Sequence, residues 1–145
     1  MPLPQGVPAT PAQLCLISSL PAAHPTAPPR ARLVGRVLAH DPTRALALLA
    51  DGPHGVLVDL SLVMHNNGPP APRARDRLML TGELVLHDVP LPLPSIDPSL
   101  PPTSTSAPEV DPRVVLLAER MQYCEELDME HWRAAVEAAR AHAGR

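Results

Sequence analysis

Apolar and polar positions along this chain change period in a definite order. The cleanest alternation runs over 76–88. There Leu78, Leu80, Gly82, Leu84 and Leu86 share one face, and Arg77, Met79, Thr81, Glu83, Val85 and His87 share the other. A period of two belongs to a strand with one face buried. Residues 56–62 repeat it, with Val56, Val58, Leu60 and Leu62 set against Leu57, Asp59 and Ser61. Residues 30–40 read as an earlier strand with Gly35 inside it, and interior glycine marks a bend or bulge. Asp41-Pro42-Thr43 turns the chain into a strand at 44–50, and Asp51 to Gly55 makes the next turn. A fifth strand, apolar enough to be buried, is expected at 113–121. Between the third and fourth strands, Asn66 to Pro70 and then Arg73, Arg75 and Arg77 allow a short helix or an irregular loop.

The pattern then shifts to a period of 3.6. Trp132, Ala135, Val136, Ala139 and Ala143 recur on one helical face over 128–143. Asp128 is suited to accept a backbone N–H as N-cap, and Leu127 and Trp132 have the spacing of a hydrophobic staple. Glu130 near the start and Arg140 and His142 near the end suit the helix dipole, and Gly144 stops the helix.

Five strands, a gap after the third and a terminal helix give an all-β fold: a five-stranded OB-fold Greek-key barrel with a C-terminal α-helix. The first and fourth strands echo each other, Leu33 to Asp41 against Leu80 to Asp88, as neighbours in such a barrel with matched bends at Gly35 and Gly82. Proline sets the domain organisation. Of 21 prolines, eight fall in 1–29 and eight in 90–112, and none follows Pro112. The expectation is a proline-rich leader at 1–29 with an apolar patch docked at 13–20, then a single domain at 30–143 interrupted by a proline-rich insertion at 90–112.

Composition removes several function classes. No apolar run reaches the roughly 20 residues of a membrane span, and the first residues lack the basic segment of a secretory signal. Two cysteines, Cys15 and Cys124, cannot form a disulfide framework, and an intracellular setting is the expectation. The net charge of −3 hides an asymmetry: 30–80 carries seven Arg against four Asp, while 81–145 carries five Arg against eleven acids. All 12 basic residues are arginine, a coding bias that lowers the meaning of any one of them.

The candidate chemistry is sparse. His40-Asp41 and His87-Asp88 could serve a metal or acid–base pair, but neighbours along a strand point to opposite faces and cannot converge. Cys124 beside Glu125 and Glu126 is a poor thiolate. No phosphate loop or metal-ligand spacing occurs, so no enzyme, cofactor or metal is expected. Arg32, Arg36, Arg73, Arg75 and Arg77 are the candidate nucleic-acid contacts. Against them stands the absence of stacking rings: no Phe, one Tyr and one Trp. Barrels that hold single strands unaided stack bases on aromatics, each worth about 1–3 kcal/mol. The terminal helix instead suits a protein partner, with Trp132 as its large anchor. A helix that merely plugs its own barrel is the alternative. The two uses can be combined, with Met129 and Trp132 buried within the chain and Val136, Ala139 and Arg140 facing outward.

The stretches Gln13 to Pro21, Arg32 to Val37, Gly55 to Leu62, Leu80 to Leu84, Val114 to Leu117 and Leu127 to Met129 resemble, in this order, the Ten subunit, the smallest of the fungal-type CST telomere-capping complex. The resemblance implies a non-catalytic nuclear adaptor at chromosome ends. It would heterodimerise with the Stn subunit and reach the large CST subunit through it. Single-stranded telomeric DNA would be met weakly or only within the complex, in the service of end protection and telomere length regulation. The helix interface implied by the family carries over to Met129, Trp132, Arg133, Val136, Ala139 and Arg140, with Tyr123 nearby. A stand-alone single-stranded nucleic-acid-binding barrel is the alternative.

Overall fold

The computed structural model describes residues 12–20, 30–64, 70–94 and 108–143, with side chains to Ala141. After a two-residue strand β1 (Gln13–Leu14) and a single 3-10 turn at Ile17–Ser19 come β2 (Arg30–Asp41), β3 (Leu46–Asp51), β4 (His54–Asp59), β5 (Arg77–Leu86), β6 (Val114–Tyr123) and α1 (Met129–Ala143). The strands pair in the order β2-β3-β4-β6-β5, and β5 pairs back onto β2 to close the barrel. All ladders of the barrel are antiparallel except β4–β6. Closure with this order and one parallel pair is the OB-fold.

The twelve residues of β2 serve two neighbours. Its first half pairs with β5 from Arg30 to Arg36, its second with β3 from Arg36 to Asp41, and the register shifts between Val37 and Ala39. The irregularity therefore lies just beyond Gly35 rather than at it. Gly35 is small for a different reason: an added Cβ would sit 2.8 Å from Ile17 Cδ1 and 2.8 Å from the Ala50 carbonyl oxygen. Gly82 does lie at a bulge, between Thr81 and Gly82 against β6.

The interior is filled by Ala31, Leu33, Val37, Leu49, Val56, Val58, Leu60, Leu78, Leu80, Leu116 and Ala118, joined by Cys15, Ile17 and Leu20 from the segment before β2. The 3-10 turn thus stops one end of the barrel with Ile17, which is fully buried. Two expected core positions are corrected. Leu62 is 56 % exposed because β4 ends at Asp59 and the chain turns at 61–63, which breaks the period of two. Leu86 is also exposed, at the end of β5 where the wall runs out. Between β4 and β5 the described residues form turns and irregular backbone, with Arg75 at φ 77°, and the asparagines of the expected connection lie outside the described residues. No helix among the described residues is long and apolar enough to cross a membrane.

Candidate partner and nucleic-acid interfaces

The terminal helix begins where the side-chain pattern requires. Asp128 Oδ1 accepts the Glu130 N–H at 2.9 Å, and its carbonyl accepts the first helical bond from Trp132 at 3.0 Å. Leu127, Met129, Trp132 and Val136 then pack with Val34, Met79, Leu14, Leu16 and Cys124. Val34 and Met79 are cross-strand partners of β2 and β5 whose side chains point away from the barrel interior. So α1 lies against the outside of the β2–β5 wall, beside β1, and does not plug an end of the barrel.

This placement corrects the outward orientation expected for Val136. It is fully buried, and Trp132 is 6 % exposed, with its indole N–H unpartnered. A helix bearing one large apolar side chain buries it on the nearest apolar surface, and Val34 and Met79 supply that surface inside the same molecule. Arg133 is also engaged at home: its Nη2 lies 2.8 Å from Asp51 Oδ1, tying the helix to the β3–β4 turn. Of the expected partner-facing residues, Arg140 is exposed and Met129 and Ala139 are half-buried. Tyr123 is 39 % exposed, and its hydroxyl donates to the Pro70 carbonyl.

The five candidate nucleic-acid arginines do not form one open row. Arg32, Arg36 and Arg77 stand on the outer face of the β2–β5 ladder, where Arg32 opposes Thr81 and Arg36 opposes Arg77. Each has a partner within the chain. Arg32 Nε donates to Thr81 Oγ1 at 3.2 Å. Arg36 Nη1 donates to the Arg75 carbonyl at 2.7 Å and lies 3.6 Å from Glu125 Oε2. Arg77 Nη1 donates to the carbonyls of Leu127 and Glu125, while its own N–H is bound by Glu125 Oε1 at 2.6 Å. Arg77 is therefore a clasp between β5 and the start of α1, and Glu125 neutralises part of the local charge. Arg73 and Arg75 are exposed on the preceding loop, with no side-chain partner among the described residues.

The remaining candidates are turn and core groups. Asp41 accepts from Thr43 N at 3.1 Å and Oγ1 at 2.6 Å and from Arg44 Nε at 2.6 Å, and these bonds hold its carboxyl down at about 2. That is turn chemistry. Burial pushes His40 below its ordinary range, against a weaker pull from Asp41. Burial also raises both thiols, with Arg140 opposing it at Cys15 and Arg77 at Cys124. Neither thiol is disposed to act as a nucleophile. No group of three potential metal ligands occurs among the described residues.

No family model and no curated protein matches the chain. Solved structures do. The chain is similar to the S. pombe Stn1–Ten1 complex, with a TM-score of 0.59, 12 % identity, and 92 % of this chain covering 96 % of that one. The S. pombe telomere capping protein Ten1 superposes with a TM-score of 0.58 at 13 % identity, over 90 % of this chain and 99 % of that one. The fold is the OB barrel of Ten1. At this identity the likeness is one of backbone path, and it extends from end to end of the Ten1 chain.

The sequence pattern missed two contacts that position these surfaces. The Asp51–Arg133 pair joins residues 82 apart, and Arg30 Nη2 lies 2.6 Å from Glu119 Oε1 across the wall. Opposite charges alone do not announce such pairs; only the barrel closure brings them together.

Proposed function

We propose that this chain is a non-catalytic OB-fold adaptor of the Ten type. It pairs with a Stn-like subunit in a telomere-capping complex, and acts in the nucleus at chromosome ends. The observation that carries the reading is the superposition over 99 % of S. pombe Ten1: the match is to the length of a whole small protein rather than to a barrel inside a larger one. The shortage of aromatic side chains supports it, because a barrel without stacking platforms holds a single strand poorly on its own.

On this reading the partner meets the edges of α1, where Arg140 on one flank and Ala135 on the other border the buried stripe and Ala139 is half-covered, while Trp132 and Val136 act from beneath by fixing the helix on the barrel. Single-stranded telomeric DNA is contacted weakly, through Arg73 and Arg75, or only within the complex. Contact with the large subunit passes through the Stn-like partner. End protection and length regulation follow from that assembly.

Co-expression is the test. The chain and a Stn-like subunit from the same source should co-purify as a stable 1:1 species, and Arg140→Glu should weaken pairing without lowering the thermal midpoint of the isolated chain. Failure of the two chains to co-purify would overturn the proposal.

A further inference from the structure

An OB barrel ordinarily seats its ligand on the outer surface of its second and third strands, between the loops that follow the first and fourth. Here that surface is β3–β4, flanked by the β2–β3 turn and the β5–β6 connection. Leu46, Leu48, Leu57 and Val115 pack there with Ala39, and the cluster is closed over by Leu91 and Val110 from the β5–β6 connection itself. The run Leu46–Ala50 is buried on both of its faces, which is why it has no polar alternation.

Both roots of the connection are fastened. Gly55 donates its N–H to the Glu109 carbonyl at 2.9 Å, and the Glu109 N–H donates to the Pro53 carbonyl at 2.8 Å. This parallel bridge between His54 and Glu109 extends along β4 the parallel pairing that β6 makes only from Leu57 to Asp59. At the other root, Leu91 N–H donates to the Pro112 carbonyl at 2.9 Å, and Arg44 Nη1 reaches the Pro92 carbonyl at 3.2 Å. Gly55 leaves room for this approach: an added Cβ would lie 2.9 Å from Val110 Cγ2 and 3.3 Å from Pro108 Cβ.

We infer that this face is a peptide groove filled in cis by the roots of the chain's own proline-rich connection, Leu91–Pro92 and Pro108–Val110, and is thereby closed to nucleic acid. Two physical features select the occupant. The start of β4 presents backbone N–H and C=O groups beyond the end of β6, and an extended peptide satisfies both in register. The lining is aliphatic, so it welcomes valine, leucine and proline and offers bases no ring to stack on, and the cation at its edge, Arg44, is already engaged by Asp41 and the Pro92 carbonyl. The inference goes beyond the Stn-type pairing and does not depend on it.

Hydrogen exchange on the full-length chain tests it. The amides of Gly55 and Glu109 should be protected in the wild type. Val110→Asp should lower their protection by about tenfold or more while leaving Val58 protected, as expected for local opening. The same variant should bind an apolar dye such as anilinonaphthalene sulfonate severalfold more. If Val110→Asp unfolds the barrel, Gly55→Val, which pushes the same root away, should reproduce the local loss. Free-peptide exchange at Gly55 and Glu109 in the wild type would overturn the inference. So would photocrosslinks from an oligothymidylate mapping to residues 46–59 of the wild-type chain.

Discussion

Gly82 sits where β5 comes closest to the backbone of β6. A Cβ added there would lie 2.0 Å from the Leu117 carbonyl oxygen and 2.9 Å from Ala118 Cα. Backbone cannot swing aside as a side-chain end can, so Gly82→Ala should cost about 3 kcal/mol, the upper part of the usual range for overpacking. Gly52 is the control: it has φ +60° but nothing within 4 Å of an added Cβ. Gly52→Ala should therefore cost only the left-handed penalty of about 1–2 kcal/mol. Urea unfolding of the two variants checks the difference. His40 provides the pH prediction. Its Nε2 is buried without a partner, and burial favours the neutral ring. The unfolded chain takes up this proton near the ordinary value of about 6.5, the folded chain only at lower pH. The contribution of neutral His40 is thus intact above about pH 6.5 and is lost as pH falls through the depressed folded value. Between pH 7 and 5 the wild type should lose stability more steeply than His40→Gln. Parallel slopes would remove His40 from the account.

At the scale of the element, α1 is held by its buried side and by charged ties around its N-terminal start, from Arg77 to the Glu125 and Leu127 carbonyls and from Arg133 to Asp51. Trp132→Ala should destabilise the isolated fold by about 3–5 kcal/mol, as expected when a buried aromatic is truncated. Thermal or urea unfolding of the chain alone would record it. Loss of pairing in this variant would then be an indirect effect, which is why Arg140→Glu is the cleaner probe of the partner surface. Arg133→Ala removes a pair whose arginine is about half exposed, at 47 %. Its effect should stay below about 1 kcal/mol. Arg77→Lys keeps the charge but loses the fork that reaches the Leu127 and Glu125 carbonyls. It should loosen the β6–α1 junction, seen as faster amide exchange at Cys124 and Leu127, both of which are bonded there.

At the scale of the whole molecule, two walls of the barrel and one loop present different surfaces. The outer β2–β5 wall carries the helix and the intramolecularly paired arginines, the β3–β4 wall carries the chain's own connection, and the loop before β5 presents Arg73 and Arg75. Among the described residues one exposed ring, Tyr123, stands beside the loop of Arg73 and Arg75, and no second exposed ring joins it. The isolated chain should barely retard a single-stranded oligonucleotide at 150 mM salt. Whatever binding appears at low salt should vanish steeply as salt rises, since it rests on phosphate contacts alone. A mobility-shift series over salt measures this directly.

The strand and helix pattern was legible because each rests on local periodicity. Leu78, Leu80 and Leu84 alternate onto the core, Asp128 caps a helix with a 3.6-residue apolar stripe, and the order of elements with its gap after the third strand leads to an OB barrel. Which apolar face meets which neighbour was not legible in the same way. Val136 is apolar whether it faces a partner or Val34, and Leu57 alternates with Val56 and Val58 yet is buried on the opposite side of the same strand. The uninterrupted run Leu46–Ala50 was the one local signal that both faces of β3 are covered. Periodicity fixes the direction of a side chain relative to its own backbone. What covers it depends on segments that barrel closure brings together, 39 residues apart for Arg36 and Arg75 and 82 apart for Asp51 and Arg133, and that is decided only when the chain is folded.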